Sequence, residues 1–113
     1  MFFLSHILTM NIENLKSLLE QGQDSLILRF GLAQALIKQN DSQAAIDHLV
    51  KALEFDNEYS AAYKLLGKAY TQTQQNQLAI DCYEKGIVIA ESKGDIQAAK
   101  EMKVFLKRLK AQV

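Results

Sequence analysis

Proline is absent from all 113 residues, and cysteine occurs once, at Cys82. The first absence suits a chain that is helical over most of its length and leaves glycine and polar clusters to mark the turns. The second forbids an intramolecular disulfide and makes a reducing compartment, the cytoplasm, the economical expectation. Net charge is also missing: thirteen basic residues balance thirteen acidic ones. The chain as a whole therefore exerts no long-range pull on nucleic acid or an anionic membrane, and any such pull must come from a local patch. No apolar run approaches the ~20 residues needed to span a bilayer. Residues 1–9 are apolar, but no positive residue precedes the stretch and no small-residue cleavage site follows it, so it makes a poor signal peptide. Met10 serves equally well as a start. Residues 1–9 are therefore expected to be a disordered or upstream extension, with 10–113 as a single domain. There is no glycine-rich phosphate loop and no His-Glu-x-x-His motif, and no cofactor or metal is expected.

What is present is ordinary for a globular protein, with 49% hydrophobic and 23% charged residues. Apolar residues recur at helical spacing, which predicts six helices and an all-α fold. The first, 12–21, places Ile12, Leu15, Leu18 and Leu19 on one face, with Asn11 as its N-cap and Gly22 just beyond its end. The second follows Asp24 and the third follows Asp41, each aspartate being placed to accept from free amides at a helix start. Two more cover about 58–73 and 77–92. Gly94 then stops the chain, and Asp95 opens a last helix over 95–111.

The chain also repeats itself. Ala45-Ile46-Asp47-His48-Leu49 returns as Ala79-Ile80-Asp81-Cys82-Tyr83, 34 residues later, and the same step lays Leu32 on Leu66, Ala35 on Ala69 and Lys51 on Lys85. A period of this size belongs to stacked helical hairpins. In the second copy, Tyr63-x-x-Leu66-Gly67-x-x-Tyr70 followed by Ala79-x-x-x-Tyr83 resembles the tetratricopeptide repeat family, at its spacings. The first copy keeps Leu32-Ala33, Leu36, Ala45, Leu49 and Ala52 but has Arg29 where an aromatic is expected, and Asn57 and Glu91 replace the usual late proline. The resemblance implies an α-α superhelix made of repeats 26–59 and 60–93, with the helix 12–21 as the second half of an eroded repeat and the helix 95–111 as a C-terminal cap.

The period separates the residues that would suggest catalysis. His48 and Cys82 fall at equivalent places on successive parallel helices, as do Asp47 and Asp81, and neighbouring helix axes lie ~8–10 Å apart. Neither a Cys-His pair nor a carboxylate dyad is expected, and the chain reads as a non-enzyme.

Function is therefore expected at a surface. By the resemblance, the first helix of each hairpin lines a concave groove for a peptide or helix of a partner protein. That groove would show Ile27, Phe30, Gln34, Ile37 and Lys38 in the first copy, and Lys64, Lys68, Thr71 and Gln72 with Ala61 in the second. It would be apolar at one end and cationic at the other, suited to a segment that joins an acidic group to an aliphatic or aromatic anchor. Equally, these lysines fit a solvated helix face, with Phe30 packed inward in place of the missing aromatic. A clamp for a terminal carboxylate, known in some members, is a poor fit because Lys68 replaces an asparagine and the third repeat is absent. The partner is expected to be another protein, a peptide or a second copy of the chain. The alternative site is the last helix, where Lys100, Lys103, Lys107 and Lys110 share a face that would meet nucleic acid or an acidic protein. The lack of an accompanying aromatic or arginine cluster argues against nucleic acid.

Overall fold

The computed structural model describes residues 12–112, all of whose regular structure is helical. The expectations for residues 1–9 and for the cap at Asn11 lie outside these residues. Helix α1 occupies 12–20. It is followed by α2 (Leu26–Lys38), α3 (Ser42–Phe55), α4 (Ser60–Gln72), α5 (Asn76–Ser92) and α6 (Ile96–Gln112).

Four helix ends share one device. At Gly22, Asn40, Gln74 and Gly94 the backbone turns left-handed, with φ of 86, 63, 61 and 76°. The next amide then reaches back over the last turn: Gln23 to Leu18, Asp41 to Leu36, Gln75 to Tyr70 and Asp95 to Ala90, at 3.0, 2.9, 2.8 and 2.8 Å. These bonds satisfy carbonyls that a helix end leaves open. Asn40 and Gln74 are 34 residues apart, so the turn repeats along with the helices. The α3–α4 corner is different. Asp56 Oδ1 accepts from the Glu58 amide at 2.9 Å and the Tyr63 hydroxyl donates to the Asn57 carbonyl at 2.8 Å, tying down the corner where the family's proline is absent.

At the helix starts one cap is as expected and one is not. Asp41 Oδ1 accepts from the Ala44 amide at 3.4 Å. At α2, however, Ser25 is the cap, its hydroxyl accepting from the Leu28 amide at 3.1 Å. Asp24 is drawn instead to the guanidinium of Arg29, with two bonds of 2.8 Å.

Consecutive helices pack as antiparallel hairpins around two linked cores. Leu32, Leu36, Leu49 and Leu66 centre the first, which Ile12, Leu15 and Leu19 of α1 close at one end. Tyr83, Ile87, Ala99, Met102 and Leu109 form the second, which α6 covers. Small residues set the closest approaches: Ala45, Ala52, Ala62, Ala69 and Ala79 are fully buried. Alternate helices reveal the curvature. α4 comes within 8 Å of both α2 and α6, whereas among the described residues no such approach joins α3 to α5. The layer α2–α4–α6 is accordingly the inner side of the curve.

Candidate interaction surface

The inner layer carries most of the residues expected in the groove, in different states of engagement. Ile27 is 81% exposed, and Gln34, Lys38, Lys68 and Gln72 are exposed as well. Ile37 is a correction: it is only 7% exposed and belongs to the first core. It is buried because α2 lies between α1, α3 and α4, so a wider arc of its surface is covered than a one-sided helix would lose. Phe30 is half-buried and meets Tyr59 edge to face, with centroids 5.2 Å apart, an arrangement aromatic pairs favour. It packs inward, in line with the second of the two expectations for it.

In the second copy, three of the four polar residues expected in the groove already have partners. Lys64 Nζ lies 3.1 Å from Glu101 on α6. The Thr71 hydroxyl donates to the Gly67 carbonyl at 2.8 Å. Gln72 accepts through Oε1 from the buried Ser42 hydroxyl. Lys68 has no carboxylate within 4 Å among the described residues. It lines a cleft of about 330 Å³ between α4 and α6, floored by Tyr83, Phe105 and Leu109 and bordered on the far side by Arg108.

The α6 contribution to this cleft was not expected from the sequence, where the last helix served as a cap and an alternative basic face but not as a wall of the groove. A signal was available. Repeats beginning at 26 and 60 place a third start at 94, so α6 occupies the position of another groove-lining first helix. Its basic face is partly neutralised. Lys103 pairs with Glu91 at 2.7 Å and Lys110 with Glu84 at 3.1 Å, both acids on α5, while Lys100 and Lys107 have no such partner among the described residues.

The remaining chemistry-bearing residues are structural in their surroundings. Arg29 links Asp24 to His48, with its Nη1 3.0 Å from His48 Nδ1, so the residue that replaces an aromatic bridges α2 to α3 through polar contacts. Burial, and then the facing guanidinium, hold the His48 pKa below its ordinary value. Burial pushes the Cys82 thiol up to about 11, which leaves little thiolate at neutral pH. Among the described residues no three His, Cys, Asp or Glu side chains converge on a point, and no helix is long and apolar enough to cross a membrane.

Comparison with known proteins agrees with this architecture. Residues 28–59 and 60–91 each match the tetratricopeptide repeat. The TPR repeat-containing protein PA0015 of Pseudomonas aeruginosa is 42% identical over 100 residues, which cover 88% of this chain and 95% of that protein. Among solved structures, protein BPP2914 from Bordetella parapertussis is 40% identical with a TM-score of 0.79, covering 89% of this chain and 88% of its own. A tetratricopeptide repeat domain protein from Salinibacter ruber is 26% identical with a TM-score of 0.72, covering 78% of this chain and 98% of its own. Repeats of this kind generally serve protein–protein interaction and are generally non-catalytic scaffolds. With matching repeats over more than half its residues and a 42% identical relative along most of its length, the chain belongs to the tetratricopeptide repeat family.

Proposed function

We propose that this protein is a non-catalytic adaptor that holds a peptide or helix of another protein against the inner face of α2, α4 and α6. One observation carries the reading: those three helices lean together while α3 and α5 stand apart, and the inward layer keeps Ile27, Gln34, Lys38 and Lys68 exposed. An inner face of this kind offers a partner several helices at once, so a short segment gains contacts from more than one repeat. The lone, half-buried Cys82 fits a reducing compartment such as the cytoplasm.

The test is to select peptides on the immobilised full chain from a random display library and to map the best binder by amide chemical-shift changes. Changes grouped on α2, α4 and α6, and weaker binding by Ile27→Asp and Lys68→Glu, are the expected result. Changes confined to the outer faces of α3 and α5 would overturn the reading. The basic face of α6 is the weaker candidate, because Glu91 and Glu84 already neutralise two of its four lysines.

A further inference from the structure

Resting on the adaptor reading, we infer that the α4–α6 cleft is a binding subsite for an acidic protein segment in which a carboxylate stands beside an aromatic or aliphatic side chain. The inference starts from charge pairing. Where α6 packs on its neighbours, Lys64, Lys103 and Lys110 each meet a carboxylate at 3.1, 2.7 and 3.1 Å. Lys68 and Arg108 meet none among the described residues, although both line the same cleft from opposite helices. Two cations lining one cavity give it a positive potential, and an arriving carboxylate gains charge-assisted hydrogen bonds there.

Three uncharged polar residues, Thr71, Gln72 and Gln112, also line the cleft. Gln72 Oε1 accepts from the Ser42 hydroxyl and its amide NH2 adds donors, while the Thr71 hydroxyl is already given to the Gly67 carbonyl. Both charged groups of the cleft, Lys68 and Arg108, are donors only, so the charge it prefers is that of an anionic acceptor. Beneath them Tyr83, Phe105 and Leu109 give an apolar floor. The volume of about 330 Å³ lies at the small end of the ligand-site range. It suits one anchoring side chain and not a whole folded element. The cap helix is on this account a wall of the binding site as well as a cover for the core.

The carboxylate is that of an Asp or Glu side chain within the segment, since a clamp for a free chain terminus lacks its asparagine at Lys68; the experiment includes a free terminus as the competing source. The probes are synthetic octapeptides added to the full chain: Gly-Ser-Asp-Glu-Leu-Phe-Gly-Ser blocked at both ends, the same with Asp and Glu replaced by Asn and Gln, the same with them replaced by Lys, and a neutral peptide ending in Leu-Phe with a free carboxylate. A generic DNA duplex is the fifth probe. Each is titrated by NMR against wild type, Lys68→Ala, Arg108→Ala and the control pair Lys100→Ala/Lys107→Ala.

The acidic peptide should shift Tyr83, Phe105 and Leu109, weaken by about tenfold or more in either cleft variant, and be unchanged in the control pair. Binding by the peptide with the free carboxylate and not by the blocked acidic one would overturn the inference in favour of a chain terminus. If the neutral or basic peptide binds the inner face as well as the acidic one, the inference falls and the adaptor reading stands. Shifts confined to α3 and α5 remove both. DNA binding that is lost in the control pair would assign the ligand to the basic face instead, and binding indifferent to Lys68 and Arg108, or no binding by any probe, also overturns the subsite. Melting curves confirm that each surface variant is folded.

Discussion

Substituting Gly67 by alanine tests the register of α4 against α5. A Cβ at this position would stand 2.5, 2.7 and 2.8 Å from Cε1, Cζ and Cδ1 of Tyr83. Carbon atoms in contact rest about 3.5–4.0 Å apart, so the ring edge has to retreat by roughly 1 Å. It has little room to do so. Tyr83 is 3% exposed, and its ring leans on Phe105 with centroids 5.8 Å apart, which passes the displacement on to α6. Overpacking of this sort costs about 1–3 kcal/mol, and the gain from replacing glycine by alanine inside a helix offsets about 1 kcal/mol of it. The net loss is then about 0–2 kcal/mol, or a fall in Tm of up to roughly 15 °C. Gly67→Leu adds three carbons in the same direction and should lose more.

Gly86 supplies the contrast. A Cβ there would lie 2.6 Å from Met102 Sδ and 2.8 Å from Tyr63 Cβ. The thioether can swing away, but Tyr63 Cβ is fixed to the backbone of α4, so the two helices must part. Gly86→Ala is expected to cost more than Gly67→Ala. The assay is urea unfolding followed by far-UV circular dichroism, arranged as two double-mutant cycles. In a Tyr83→Leu background, Gly67→Ala should become neutral or stabilising. In a Met102→Ala background, Gly86→Ala should remain destabilising. A rise in stability from Gly67→Ala in the native background, or full rescue of Gly86→Ala by Met102→Ala, would refute the packing geometry.

Gln74 holds a left-handed φ of 61° that glycine adopts without strain, so Gln74→Gly should raise stability by about 1 kcal/mol, and a loss in the thermal melt would contradict the turn. His48 is held below its ordinary value of 6.5 by burial and by Arg29, so its neutral form is the one the fold favours. Its stabilisation is complete above that value and is lost as pH falls through the lower folded pKa; Tm should therefore drop between about pH 7 and about pH 5 more steeply in wild type than in His48→Gln, and equal slopes would dismiss the effect. Cys82, with its thiol raised to about 11, should react slowly with iodoacetamide in the native protein and quickly in denaturant, whereas equal rates would mean that the thiol is open to solvent.

The 34-residue echo made the helices and their order legible, because core spacing and turn position are local properties that a repeat states twice. Choices between adjacent residues were less legible. Asp24 and Ser25 both have the chemistry of an N-cap, and Ser25 takes the role because Asp24 is claimed by Arg29, five residues on. Ile37 sits beside the core residue Leu36, and how far round α2 the burial extends depends on how many neighbours flank it. Gly86 stands 34 residues after Ala52, so the need for a small side chain there was legible, but not that Tyr63 would press on it.

Charge was the least legible property of the groove. Lys64 and Lys68 look alike in sequence, one turn apart on α4, yet Lys64 meets Glu101, 37 residues away, and Lys68 meets no carboxylate among the described residues. On α6, Lys110 reaches back 26 residues to Glu84, while Arg108, only two positions earlier, lines the cleft with Lys68. A count of thirteen cations and thirteen anions cannot tell these apart, because pairing depends on which helices the fold sets side by side. Once the helices are stacked, the charges on the inner surface divide into those paired with a carboxylate of the chain and those with none among the described residues. The specificity of the groove should then follow Lys68 and Arg108 more closely than the total number of lysines around it.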